Sequence, residues 1–75
     1  MASQGLITLG NTIRKLRKKQ GLSQEELAYK ANIHRTYMGD VERGERNIAV
    51  LNILKIAKAL NIKPSTLFSD LDKIS

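Results

Sequence analysis

Residues 24–43, QEELAYKANIHRTYMGDVER, decide the fold of this chain. Leu27, Ala28 and Ala31 fall at i, i+1 and i+4, and Met38 and Val41 fall at i and i+3, so two short helical stripes follow one another. Ile33 adds an apolar residue between them, next to Asn32, one of the few non-glycine residues that tolerates a left-handed backbone. A chain turning sharply between two helices needs such a residue there. Ala28 is small, as it must be if the second helix crosses closely over the first. Arg35, Thr36 and Tyr37 open the second helix and point away from its apolar stripe. After a tight turn, such a helix is placed to present those side chains to base edges in a DNA major groove.

Working outward, Ser23 followed by Glu26 fits a capping box that starts this unit at Gln24. Leu9, Ile13 and Leu16 recur at helical spacing before it, and Gly21 can end that helix in a left-handed cap. Met1 to Gly5 reads as a frayed start. His34 sits just before the third helix, and Gly44 stops it. Val50, Ile53, Ile56, Ala57 and Leu60 share one face of a fourth helix that Asn61 closes. Pro64 suits the first position of a fifth, where its missing N–H costs nothing, and Leu67, Phe68 and Leu71 give that helix an apolar side. The expected helices are 6–20, 24–31, 35–43, 50–60 and 64–71. A strand over 47–53 is the weaker alternative, so the expected fold is all-α: one five-helix domain over residues 1–75.

Composition narrows the partners. Thirteen Lys and Arg against seven Asp and Glu give a net charge of +6, which favours a polyanion through counterion release. The run Arg14, Lys15, Arg17, Lys18, Lys19 holds much of that charge, and its bland reading is a solvated helix face. With no cysteine there is no disulfide or thiolate metal site, and with one histidine and scattered carboxylates no metal site or cofactor is expected. No apolar run reaches the roughly 18 residues of a membrane span, and no signal-peptide layout is present, so a cytoplasmic protein is expected. So short a chain has little core, which suggests oligomerisation as a further source of stability.

Three segments, IRKLRKKQGLSQEELA, RTYMGDVERGERN and LKIAKALNIKPSTLF, in this order over about 9–68, make the chain resemble the Cro/CI-type, lambda-repressor-like helix-turn-helix regulators. Within that family, the short length and the stretch HRTYMGDVERGERNI look most like the controller proteins of restriction-modification systems. The resemblance implies a homodimer on a double-stranded DNA operator ahead of its own gene and the endonuclease gene. It implies activation at low occupancy and repression at high occupancy, with RNA polymerase as a further partner. Two positions depart from the family pattern. Ala49 stands where a Ser, Thr or Pro-Ser cap usually precedes the fourth helix, at a cost of ~1 kcal/mol, and Asn32 replaces the usual turn glycine.

Site residues follow from helix position and from the resemblance. Arg35 can donate a bidentate pair to guanine O6 and N7, worth ~1–3 kcal/mol of discrimination. Thr36 can offer its methyl to thymine, or its hydroxyl to a base or phosphate. Tyr37 reaches a phosphate or sugar, or else packs in the core. Asp40 accepts from cytosine N4, or else orients Arg35 or Arg43. Gly39 weakens the third helix by ~1 kcal/mol relative to alanine, either for close approach to DNA or by simple tolerance. Gln24 at a helix N-terminus suits a phosphate, a contact the resemblance supports. Arg43, Arg46 and Asn47 should grip the backbone, which sets register without carrying sequence information. His34 caps or flanks the third helix, with a phosphate contact as its second role.

The resemblance also implies that Arg17 and Glu42 form a structural ion pair beneath the helix-turn-helix. Leu51 and Leu54 widen the fourth helix's apolar face, and with Phe68 and Leu71 they suggest a patch that a second copy covers. Two copies would address half-sites about 34 Å apart, or a close multiple, on a roughly palindromic operator. With no room for a ligand-sensing domain, the response should depend on the protein's own concentration. Single-domain phage or plasmid repressors share the pattern, and an antitoxin whose apolar patch holds a toxin is the rival of a different kind. A membrane-surface role would use the basic first helix, against the punctuation by Gly21 and Pro64. No nucleophile is matched with an oriented base, so an enzyme is not expected.

Overall fold

A computed structural model describes residues 3–74; side chains cap the starts of its first three helices, and left-handed residues follow the ends of its first four. The elements are α1 (Gln4–Lys19), α2 (Gln24–Ala31), α3 (Arg35–Glu42), α4 (Val50–Ala59) and α5 (Pro64–Phe68), followed by a 3₁₀ helix, Ser69–Ile74. With five α-helices and no strand among the described residues, the fold is all-α.

Five boundaries differ from expectation, three of them by one residue, because Gln20, Arg43 and Leu60 are the C-caps of the first, third and fourth helices and not their last residues. The first helix begins at Gln4, because the Ser3 hydroxyl accepts from the Leu6 N–H at 3.1 Å and caps it; Met1 and Ala2 of the expected frayed start lie outside the described residues. The fifth leaves α geometry after Phe68. There the Ser69 hydroxyl donates to the Thr66 carbonyl, and the Thr12 hydroxyl of α1 donates to Asp70 at 3.2 Å, drawing the segment tightly against α1.

The core forms where the apolar stripes of all five helices converge. Ile13, Leu27, Met38, Ile56, Leu60 and Leu67 are its fully buried large side chains. Burying each is worth roughly 1.5–3 kcal/mol against leaving it in water. Val50 was expected on this face but is 70% exposed. At the first position of α4 it overhangs the core, while Ile53, Ile56 and Ala57 turn inward from the following turns.

Glycine lets α1 cross the end of α3 backbone against backbone. A Cβ on Gly10 would run into the Val41 carbonyl oxygen and lie 2.6 Å from that of Glu42. Gly44, with φ +73°, lies so near α1 that a Cβ there would be 2.7 Å from Ile7 Cα. At the opposite end of α1, Gln20 Nε2 donates to the Leu60 carbonyl at 2.7 Å and ties α1 to the end of α4. Among the described residues, no helix is long and apolar enough to cross a membrane.

Candidate nucleic-acid interface

The turn between α2 and α3 is fixed by Asn32, whose backbone is left-handed at φ 55°, ψ 48°. The Asn32 and Ile33 N–H groups return to the Tyr29 and Ala28 carbonyls at 3.1 and 2.9 Å, which satisfies the last acceptors of α2 and sets where α3 leaves. At the start of α2 the capping box closes both ways: Ser23 Oγ accepts from Glu26 N at 3.0 Å, and Glu26 Oε1 from Ser23 N at 2.9 Å. The Ser23 backbone N–H first, and its hydroxyl second, hold the Glu26 carboxyl below the ordinary glutamate range. His34 caps α3, with Nδ1 accepting from Thr36 N at 3.1 Å.

Arg35 and Thr36 stand exposed on the first turn of α3. Arg35 Nη1 donates to Glu25 Oε1 at 2.7 Å, with both side chains more than two-thirds exposed. Such a pair is worth well under ~1 kcal/mol in water, so Arg35 can leave it for a stronger acceptor. Tyr37 is half-buried against the core. Its hydroxyl accepts from Ala49 N at 3.4 Å, and the Arg46 guanidinium lies 5.2 Å over its ring. The Asp40 carboxylate is taken up by Arg43 at 2.7 Å and Arg46 at 3.2 Å, and Arg43 also donates to Glu45. Tyr37 and Asp40 therefore meet DNA only if these contacts rearrange. Asn47 is exposed in the loop that follows.

A buried polar hub supports this surface. Arg17 Nε donates to Glu42 Oε2 at 2.7 Å and Nη2 to Oε1 at 3.0 Å, while Nη1 donates to the Leu22 carbonyl at 2.8 Å. Gln24 Nε2 donates to Glu42 Oε1 at 2.9 Å. One carboxylate thus joins α1, the start of α2 and the end of α3, and no buried side-chain polar atom among the described residues lacks a partner. A Cβ on Gly39 would lie 3.2 Å from Nη1 at the flexible end of Arg43 and in ordinary contact with Gln24 Oε1 at 3.5 Å, so a small residue suffices there.

On another part of the surface, Val50, Leu51, Leu54 and Phe68 are exposed, and Leu71 is half-buried. Several contacts were not anticipated from the sequence: Gly10 and Gly44 against their neighbours, Gln24 on Glu42, and Glu25 on Arg35. Gly10 did carry a signal, a glycine inside an otherwise regular helical stripe. The others join residues distant in sequence, where periodicity says nothing.

The helix-turn-helix family model matches residues 13–67. The control protein C.BamHI of Bacillus amyloliquefaciens is 45% identical over 62 residues, covering 81% of this chain and 76% of that protein. The crystal structure of the restriction-modification controller protein C.AhdI from Aeromonas hydrophila superposes with a TM-score of 0.83 at 51% identity, over 84% of this chain and 96% of that one. The controller protein C.Esp1396I, solved as a tetramer in complex with its natural 35-base-pair operator, superposes with a TM-score of 0.84 at 37% identity, over 95% of this chain and 93% of that one.

Proposed function

The chain belongs to the helix-turn-helix family and, within it, to the restriction-modification control proteins, and we propose that it is a transcription regulator that binds a roughly palindromic operator as a symmetric dimer. In this reading it activates its own gene and the endonuclease gene at low occupancy, through RNA polymerase, and represses at high occupancy. It acts in the cytoplasm as a single domain, without catalysis or cofactor.

One observation supports this above the others. Arg35 and Thr36 project into solvent from the first turn of α3, while the opposite side of that helix is anchored by Met38, Val41 and the buried Arg17–Glu42 pair. A reading helix held on a stiff frame can enter a major groove without first paying to order itself. Arg35 would take guanine O6 and N7, and Thr36 a thymine methyl or a phosphate. Gln24, His34, Arg43, Arg46 and Asn47 border that helix or its ends and would hold phosphates.

The exposed Leu51, Leu54 and Phe68 and the half-buried Leu71 would pair with the same residues of a second copy and place two reading helices on half-sites about 34 Å apart, or a close multiple. Selection of bound fragments from random duplexes, followed by footprinting, tests the reading. A two-fold related pair of protected half-sites is expected. Equal affinity for all duplexes at moderate salt would reject it.

A further inference from the structure

At the far end of α3 the structure links five side chains in one line of contacts: Tyr37, Arg46, Asp40, Arg43 and Glu45. Asp40 Oδ1 accepts from Arg43 Nη2 at 2.7 Å, and Oδ2 accepts from Arg46 Nη2 at 3.2 Å and Nε at 3.4 Å. Arg46 is flanked on its other side by the Tyr37 ring, and Arg43 donates its Nε to Glu45. The Asp40 side chain is 22% exposed, against 56% and 51% for the arginines it holds. Two carboxylates against two guanidiniums leave the group without formal net charge.

The geometry matters for what the arginines can offer a duplex. The edge of Arg46 turned toward Asp40 is the Nε–Nη2 fork, the edge that otherwise seats a phosphate or a guanine bidentately. Arg46 Nη1 is not used by Asp40, and the contacts of Nε and Nη2 limit the orientations from which it can donate. Asp40 therefore turns two mobile cations into donors with a restricted orientation and a reduced net field. Loose, sequence-independent binding depends on the field, since it is almost wholly electrostatic. Binding in one register depends on donor direction.

We propose that Asp40 is a specificity-determining residue that acts through Arg43 and Arg46: it suppresses attraction to arbitrary duplex while leaving the operator complex its phosphate contacts. The proposal rests on the regulatory reading above. It is distinct from a direct base contact by Asp40, which would lower operator affinity when the carboxylate is removed.

The test measures wild type, Asp40→Asn and Asp40→Ala on the selected operator and on a scrambled duplex, each across a salt series, with thermal melts to confirm folding. Both variants should bind scrambled duplex about three- to tenfold more tightly, with a salt slope steeper by up to about one unit for each arginine released. Operator affinity should change less, so that discrimination falls. Arg43→Gln/Arg46→Gln supplies the background that separates this effect from bulk charge. There Asp40→Asn should leave scrambled-duplex affinity unchanged. Unchanged scrambled-duplex binding in the single variants, a parallel change on both duplexes, or a gain that persists without the arginines would each overturn the proposal. A wild-type protein that did not prefer operator over scrambled duplex would instead reject the regulatory reading.

Discussion

Arg17 and Glu42 meet edge to edge beneath the helix-turn-helix, Nε to Oε2 at 2.7 Å and Nη2 to Oε1 at 3.0 Å, with side chains only 9% and 2% exposed. The pair spans 25 positions of sequence and is the point where α1, α2 and α3 are held together. A buried pair of this kind adds little over an apolar substitute, but losing one partner strands the other without water. Glu42→Ala should therefore destabilise the fold by about 3–5 kcal/mol in urea unfolding, since Arg17 loses its buried counter-charge, keeping only the Leu22 carbonyl, and Gln24 loses its acceptor. Unchanged stability would show that the hub contributes nothing.

Gly10 and Gly5 lie on the same helix and should respond oppositely to alanine. Alanine is favoured over glycine in a helix by about 1 kcal/mol where the added Cβ meets no obstacle. At Gly5 the added Cβ meets only Ser3 Oγ at 3.9 Å, so Gly5→Ala should stabilise by up to about that amount. At Gly10 it collides with the backbone carbonyls of Val41 and Glu42, which cannot rotate away as a side chain does. Gly10→Ala should cost about 1–3 kcal/mol despite the better propensity. Denaturation midpoints of the two variants, measured side by side, check the sign of each.

Ala49 occupies the N-cap of α4 with extended backbone, φ −69° and ψ 146°, and makes no side-chain cap hydrogen bond. Ala49→Ser keeps that geometry and supplies an acceptor for the exposed N–H groups. It should raise stability by about 1 kcal/mol, seen as a higher denaturation midpoint with an unchanged slope.

Glu26 titrates below the ordinary glutamate range because the Ser23 backbone N–H and then its hydroxyl favour the carboxylate. A folded-state pKa depressed in this way adds stability above the unfolded-state pKa and loses it as pH falls through the folded one. Glu26→Gln keeps the cap acceptor without the charge. Wild type should be the more stable at neutral pH, and the gap should close as pH falls below the ordinary glutamate range and through the depressed folded-state pKa. A constant gap across that range would contradict the assignment.

Much of the frame is legible in residues 23–44, because caps and turns are local chemistry: Ser23 with Glu26, Asn32, and Gly44 each act within a few positions of the chain. The apolar stripes likewise place Leu27, Met38 and Ile56 inside. Val50 misleads because periodicity cannot tell a helix's overhanging first turn from its core turns. Ser3 gives no cap signal because it lies in a stretch without apolar period. Of the proposed DNA-facing residues, Arg35, Thr36, Arg43, Arg46 and Asn47 are exposed as their helix and loop positions imply, whereas Gln24, Tyr37 and Asp40 are half-buried in contacts that position alone does not give. Glu25 holding Arg35, or Asp40 holding Arg43 and Arg46, depends on how α2, α3 and the following loop are set in space, which no spacing within one helix encodes.

If the front of α3 reads bases, as proposed, operator discrimination depends on Arg35 and Thr36, and Arg35→Ala/Thr36→Ala tests this in a sample whose melt shows an intact fold. Both side chains are exposed and outside the core, so the fold should survive. Loss of about 1–3 kcal/mol of preference for operator over scrambled duplex, with a smaller change on the scrambled one, is the expected result. Full retention of operator preference and affinity would contradict the account.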